Sequence, residues 1–105
     1  MKYLVRISRP ALHRVGDTYA FLREGDPRFA DDWITGLYET FATLRTLPNR
    51  GRIAPESPRR GHTVRQILYR KYRVTYVVTD GRVTITSVRH SSLPPDGEEW
   101  DDSLW

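Results

Sequence analysis

One stretch, residues 62–90, limits the folds open to this chain more than any other. It reads HTVRQILYRKYRVTYVVTDGRVTITSVRH, and it is rich in β-branched and aromatic residues. Asp80-Gly81 lies between two alternating runs, where an Asp-Gly pair is the strongest short-range hairpin signal, because a type I′ turn requires positive φ at both central residues. The stretch therefore predicts three consecutive antiparallel strands.

The residues before this stretch predict one strand and two helices. Alternation over residues 2–8 puts Tyr3, Val5 and Ile7 on one face of a half-buried strand. Ser8 and Asp26 are each followed by a proline within two residues, which is typical of a helix start. The apolar stripes that follow contain Leu12, Val15, Tyr19 and Leu22 in the first helix, and Ala30, Trp33, Leu37, Phe41 and Leu44 in the second, widened by Ile34 and Tyr38. Because the connection at Gly25 is short, we expect an antiparallel helical hairpin.

These elements define an α+β fold with the order β-α-α-β-β-β. A helical hairpin is expected to pack on one face of a small, twisted, mainly antiparallel sheet. Residues 47–61 contain three prolines and two glycines, so they predict an irregular loop. We expect one domain over residues 1–90, followed by an acidic C-terminal tail over residues 91–105.

Charge is distributed unevenly along the chain. Residues 1–90 contain all 17 lysines and arginines and eight acidic residues, a formal charge of +9, whereas the tail carries −5. A basic body of this kind indicates a polyanionic or acidic partner, although a generic solubilising surface explains the charge equally well. The chain has no cysteine, which suits a reducing cytoplasm. The apolar run over its first residues is short and interrupted by charge, so we expect neither a signal peptide nor a membrane span there.

Alternation also assigns basic side chains to the two faces of the predicted sheet. In the middle strand of the three, Arg73 lies on the open face, away from the helices. In the last strand the same rule places Val88 and His90 on the open face and Arg89 on the core side, from which a residue at a strand end can swing to the rim.

The first of the three strands has two possible parities. If Val64 and Leu68 face the core, Arg65 joins Arg73 on the open face. That choice also exposes Ile67 and Tyr69, so the parity is ambiguous, but we expect the arrangement that places Arg65, Arg73 and His90 on one open face.

An ordered set of short segments runs from residue 2 to residue 90. The segments are Tyr3 to Ile7 with Pro10-Ala11-Leu12, Asp26-Pro27 with Ala30 and Trp33, Leu47-Pro48 with Arg50-Gly51-Arg52 and Glu56, Val64-Arg65, Tyr72-Arg73-Val74 with Tyr76-Val77-Val78, and Val88-Arg89-His90. In this order they resemble the toxins of the RelE/ParE superfamily, the toxic half of bacterial type II toxin–antitoxin (plasmid stabilisation) modules. The spacing of the helical hairpin is closer to the ParE branch.

The resemblance implies a toxin that arrests bacterial growth. ParE-like members inhibit DNA gyrase, which is the first expectation here. The alternatives are a RelE-like ribosome-dependent mRNA endonuclease and a binding module that has lost toxicity. Whether the chain is an enzyme stays open; if it is, the resemblance implies a metal-free mRNA endoribonuclease without a cofactor. It also implies a cognate antitoxin as partner, gyrase or the ribosome with its mRNA as target, and a cytoplasmic location without membrane contact.

Metal-free RNA cleavage needs a base, an acid and cationic donors for the phosphate. The resemblance implies that Arg65, Arg73 and Arg89 stabilise the phosphate and that His90 is the base or acid, with Glu56 near an acidic position of some nuclease members. Arg65 and Arg73 can equally form a solvated face that pairs with antitoxin acids, and His90 can be a strand-end residue with a structural hydrogen bond. The nucleic-acid-binding or antitoxin-binding set comprises Arg6, Arg65, Lys71, Arg73 and Arg89.

The residues after His90 depart from the nuclease pattern. Nuclease members usually carry an aromatic residue just after the last strand, where this chain has Ser91 and Ser92. This difference weakens the nuclease alternative. We expect His13 and His62 on the surface. The sequence contains no motif typical of a metal site, a nucleotide-binding loop or a nucleophile triad.

The tail, SSLPPDGEEWDDSLW, has two interpretations. It can be a disordered, solubilising end. Alternatively, its acids with Trp100 and Trp105 fold back on the basic face, imitate an antitoxin and damp activity.

Overall fold

The computed structural model describes residues 2–55, 57 and 63–93. The expectations for Glu56, His62 and the tail beyond residue 93 lie outside the described residues. The elements are β1 (Leu4–Ile7), α1 (Arg9–Gly25), α2 (Pro27–Thr43), β2 (Arg52–Ile53), β3 (Val64–Tyr69), β4 (Tyr72–Thr79) and β5 (Arg82–His90).

The strands form one sheet in the order β1-β5-β4-β3-β2. Only the β1–β5 pair is parallel among these five strands. The predicted α+β fold and the β-α-α-β-β-β order are confirmed, with β2 as an addition. The prediction of an irregular loop over residues 47–61 is wrong at Arg52 and Ile53, which pair with Gln66 and Arg65 at the sheet edge.

The helical hairpin depends on one residue that ends α1 and starts α2. The Asp26 N–H donates to the Leu22 carbonyl (2.9 Å), and the Asp26 carboxylate accepts from the N–H groups of Arg28 (3.0 Å) and Phe29 (3.2 Å). The first bond satisfies a carbonyl at the end of α1, and the other two satisfy N–H groups at the start of α2. The chain therefore reverses within a single residue, and the two helices pack together.

Trp33 is the largest side chain in the core between α2 and the sheet. It is 1% exposed, and its ring meets that of Tyr72 edge-on at 5.2 Å between centroids. The Tyr69 hydroxyl donates to the Trp33 carbonyl (2.8 Å), which joins β3 to α2. The predicted helix stripes are too wide, because Leu12 and Tyr38 are 47% and 42% exposed and lie on the flanks of the buried rows.

The predicted Asp-Gly hairpin is present between β4 and β5. Thr79 pairs with Arg82, so the turn has two residues, and φ is 38° at Asp80 and 77° at Gly81. Glycine adopts such a φ without steric cost, and aspartate tolerates it better than most side chains.

A second two-residue turn, between β3 and β4, gives β3 the parity opposite to the expected one, so the expectation that Val64 and Leu68 face the helices is wrong. Tyr69 pairs with Tyr72 across Arg70 and Lys71, so both tyrosines lie on the helix side of the sheet. Arg70 occupies the turn with φ of 54°, and its guanidinium lies 5.4 Å from the centre of the Tyr69 ring. No glycine signals this turn in the sequence.

In the described part of the chain, no helix has the length and apolar character needed to cross a membrane.

Candidate functional site

The face of the sheet opposite α1 and α2, called here the open face, carries most of the predicted binding residues. Directly opposed residues of neighbouring strands project from the same face, so the register identifies its side chains. The rows across the open face are Leu68, Arg73 and Arg89; Arg52, Gln66, Thr75 and Ser87; Val64, Val77, Thr84 and Arg6; and Thr79, Arg82 and Leu4.

Arg73 and Arg89 lie directly opposite each other on β4 and β5. At that position their Cβ atoms are about 5 Å apart, and like charges so placed destabilise a sheet slightly. Arg73 donates from Nη1 to the Gln66 side-chain carbonyl, and Gln66 is 4% exposed. The end of the open face beside the β3–β4 turn thus holds two half-buried guanidinium groups next to a buried polar row, an arrangement suited to binding carboxylates or phosphates.

A β-bulge in β5 explains why Arg89 lies on the open face. Thr75 pairs with Ser87 and Tyr76 pairs with Ile85, so Thr86 has no opposing residue. Its hydroxyl instead donates to the Thr75 carbonyl (3.2 Å) and lies 3.2 Å from the Thr75 hydroxyl. One extra residue reverses the alternation of every side chain beyond it.

The bulge overturns the predicted assignment for the end of β5. Val88 is 3% exposed and belongs to the core, whereas the sequence placed it on the open face. His90 pairs with Tyr72 on the helix side, and Arg89 faces outward beside Arg73. The prediction that His90 shares the open face with Arg73 is therefore wrong, as is the placement of Arg89 on the core side.

His90 has the contacts of a strand-end structural residue. Its ring meets the Tyr72 ring edge-on at 5.3 Å, and its Nδ1 accepts from the Ser92 N–H (3.1 Å) and lies 2.6 Å from the Ser92 hydroxyl. A nitrogen that accepts from an N–H carries no proton, so the proton of the neutral ring is on Nε2. Nδ1 is thus already engaged, on the face opposite the two arginines.

Arg65 holds the loop before β2 in place, and the expectation that it shares the open face with Arg73 is wrong. It pairs with Tyr76 on the helix side, and its Nη1 donates to the Gly51 carbonyl (2.8 Å). The Gly51 N–H in turn donates to the Tyr76 hydroxyl (3.0 Å). Burial raises the pKa of the Tyr76 phenol, and it also raises that of Tyr72, so both remain neutral donors and acceptors well into the alkaline range.

The other predicted binding residues lie at the margins. Arg6 is on the open face of β1, where its Nε donates to the Thr84 hydroxyl (3.3 Å). Lys71 is exposed in the β3–β4 turn, and its carbonyl accepts from the Ser91 N–H (2.7 Å). Sequence reasoning missed Gln66, although a glutamine inside an apolar strand is itself a signal of a buried polar contact.

A groove of about 520 Å³ opens between α1 and the end of β5. We call it the α1–β5 groove, and it lies beside the open face because Arg89 borders both. No pattern in the sequence indicates this groove. Its walls are Arg14, Asp17, Thr18, Phe21, Tyr72, Val88, Arg89, His90 and Leu93.

In the part of the chain that the structure describes, no three His, Cys, Asp or Glu side chains are grouped so that they could hold a metal ion.

The fold and the face together define a small α+β protein with a helical hairpin on one side of its sheet and paired arginines on the other. A family model described as the ParE toxin of the type II toxin–antitoxin system, parDE, matches residues 5–93. The chain belongs to this family. The resemblance to the RelE/ParE superfamily, ParE branch, is thereby confirmed.

A solved structure has the same fold. It is the chromosomal ParDE TA system from P. aeruginosa, which superposes with a TM-score of 0.68 at 17% sequence identity, covering 85% of this chain and 96% of that one. At this identity the likeness shows the fold alone. No curated protein matches the chain by sequence.

Proposed function

We propose that this protein arrests bacterial growth by inhibiting DNA gyrase and that a cognate antitoxin holds it inactive in the cytoplasm. Membership of the ParE toxin family supports the general role. The family is that of a type II toxin–antitoxin system, which supports an antitoxin partner.

The observation that carries the choice of gyrase is the division of the nuclease candidates between two faces of the sheet. Arg73 and Arg89 lie on the open face, whereas Arg65 and His90 lie on the helix side. His90 meets Arg89 at the α1–β5 groove, but Arg65 and Arg73 are not among the residues that line it. RNA cleavage needs an acid or base and the cationic donors around the same phosphate. This arrangement supports a protein that binds its target over one that cleaves RNA.

The open face together with its β1 edge is the surface proposed to bind both the target and the antitoxin, so the antitoxin blocks the target by covering this face. Arg6, Arg73 and Arg89 present positive charge from three positions on β1, β4 and β5. An acidic antitoxin segment that crosses these strands would meet all three. Arg65 and Lys71, which the sequence included in the binding set, lie on the helix side and in the β3–β4 turn.

Induced expression in a bacterial host tests the proposed function. We expect viable counts to fall, plasmid DNA to become relaxed or cleaved, and mRNA 5′ ends to stay unchanged by primer extension. Growth without arrest would contradict the toxin role and favour a binding module that has lost toxicity.

The mRNA endonuclease remains a second candidate because paired guanidinium groups suit a phosphate. Cleavage of mRNA at A-site codons, abolished by Arg73→Ala, would favour it and would contradict gyrase as the target. The same induced cultures supply the RNA and the plasmid, so one experiment separates the two targets.

A further inference from the structure

We propose that the last twelve residues of this chain dock in the α1–β5 groove. The inference goes beyond the proposed function, since it concerns a contact within the chain that needs neither gyrase nor antitoxin.

The groove combines an apolar wall with positive charge. Phe21 projects from α1 and is 72% exposed, and Leu93 borders the groove as the last described residue of the chain. Arg14 and Arg89 bring two formal positive charges, against which Asp17 is the single acid in the lining. An occupant of matching chemistry has an aromatic side chain with carboxylates beside it.

The tail has that chemistry. Residues 94–105 read PPDGEEWDDSLW, with five acids and no basic residue. Trp100 stands between two pairs of acids, and Trp105 follows five residues later. The charge of −5 complements a body of +9, and a tryptophan flanked by carboxylates matches a groove lined by a phenylalanine and two arginines.

The point of attachment selects this groove over the rest of the basic surface. Leu93 lines the groove, so the tail begins at its mouth. Twelve residues can span up to about 40 Å when extended, whereas the helix from Arg14 to Phe21 is about 10 Å long. A short tether of this kind gives an effective concentration in the millimolar range, so even a weak contact is populated.

Paramagnetic relaxation in the full-length protein tests the proposal. The chain has no cysteine, so Ser103→Cys provides one site for a nitroxide label. We expect the amide signals of residues 14–21 to lose at least half of their intensity. The signals of Ala42 and Arg45, which line a separate groove beside β1, should keep their intensity. Mixing labelled protein with unlabelled ¹⁵N protein should give no broadening, because the contact is within one chain.

Two sets of variants make the result specific. Neutralising the tail with Glu98→Gln, Glu99→Gln, Asp101→Asn and Asp102→Asn should restore the signals of residues 14–21. Phe21→Ala should do the same, while Phe29→Ala, a matched change at an aromatic residue that is 44% exposed outside the groove, should not. Signals that stay sharp in the labelled parent, broadening centred on the open face, or broadening that occurs only between chains would each overturn the proposal.

Discussion

Gly51→Ala is expected to lower the free energy of unfolding by about 3 kcal/mol. A Cβ at this position would lie 2.6 Å from the Gln66 carbonyl oxygen, 2.7 Å from the Tyr76 hydroxyl and 2.9 Å from the Ile67 Cγ2. The nearest of these is a backbone atom of β3, so the neighbour cannot give way by changing rotamer. The loop itself would therefore have to move away from β3, and this movement would strain the hydrogen bonds that Gly51 makes with Arg65 and Tyr76. Urea or guanidinium denaturation followed by circular dichroism measures the change.

Gly16→Ala is the matched control. An added Cβ at Gly16 meets no atom within 4 Å, and the residue lies inside α1. Alanine there should raise stability by about 0.5–1 kcal/mol, because a helix favours alanine over glycine. Equal stabilities for Gly51→Ala and the parent would contradict the close packing of the loop before β2 against the sheet.

Removing the two arginine charges at the β3–β4 end of the open face is expected to reduce growth inhibition at least tenfold. In the double variant Arg73→Gln and Arg89→Gln, each lost charge-assisted contact to an acidic or phosphate partner weakens binding by about 1.5–3 kcal/mol. Because about 1.4 kcal/mol corresponds to a factor of ten, one such contact is enough for the effect. Viable counts after induction, compared at equal protein levels, provide the measurement.

The control for this experiment removes the same charge from the helices. Arg9 and Arg28 are exposed residues of α1 and α2, on the other side of the sheet. Arg9→Gln with Arg28→Gln should leave growth inhibition within a factor of two of the parent. An equal loss of inhibition in both double variants would show that net charge, and not the open face, is responsible.

Most of the fold was predictable because its signals are local. Ser8 and Asp26 cap helices in the way that their positions before proline indicate, and the positive φ at Asp80 and Gly81 follows from turn chemistry. The burial of Trp33 and Phe41 was predictable because apolar residues recur at helical spacing along α2. Each of these inferences needs only a few neighbouring residues.

The site was predicted less well because the face of each strand residue is inferred from the one before it, so a single error is carried to the end of the strand. A single unpaired residue, Thr86, reverses the side of everything after it, so the sequence placed His90 and Arg89 on the wrong faces. The spacing of Val83, Ile85 and Val88 already departs from a period of two, which is the trace of the bulge in the sequence. The β3 parity followed from a two-residue turn at Arg70 that no glycine marks.

The contact of Arg65 with Gly51 lay beyond sequence reasoning for another reason. It joins residues fourteen positions apart through a loop whose path no local pattern specifies. The α1–β5 groove likewise arises from the packing of a helix against a distant strand. Features of this kind depend on tertiary packing, which residue spacing does not encode.

The most direct test of gyrase as the target uses purified components. Relaxed plasmid, ATP and gyrase are incubated with increasing amounts of this protein, and the DNA is separated on an agarose gel. We predict that supercoiling is lost, or that cleaved DNA accumulates, when the protein approaches equimolarity with gyrase, and that the Arg73 and Arg89 double variant requires at least ten times more protein. Full supercoiling in a large excess of folded protein that still arrests growth would contradict gyrase as the target.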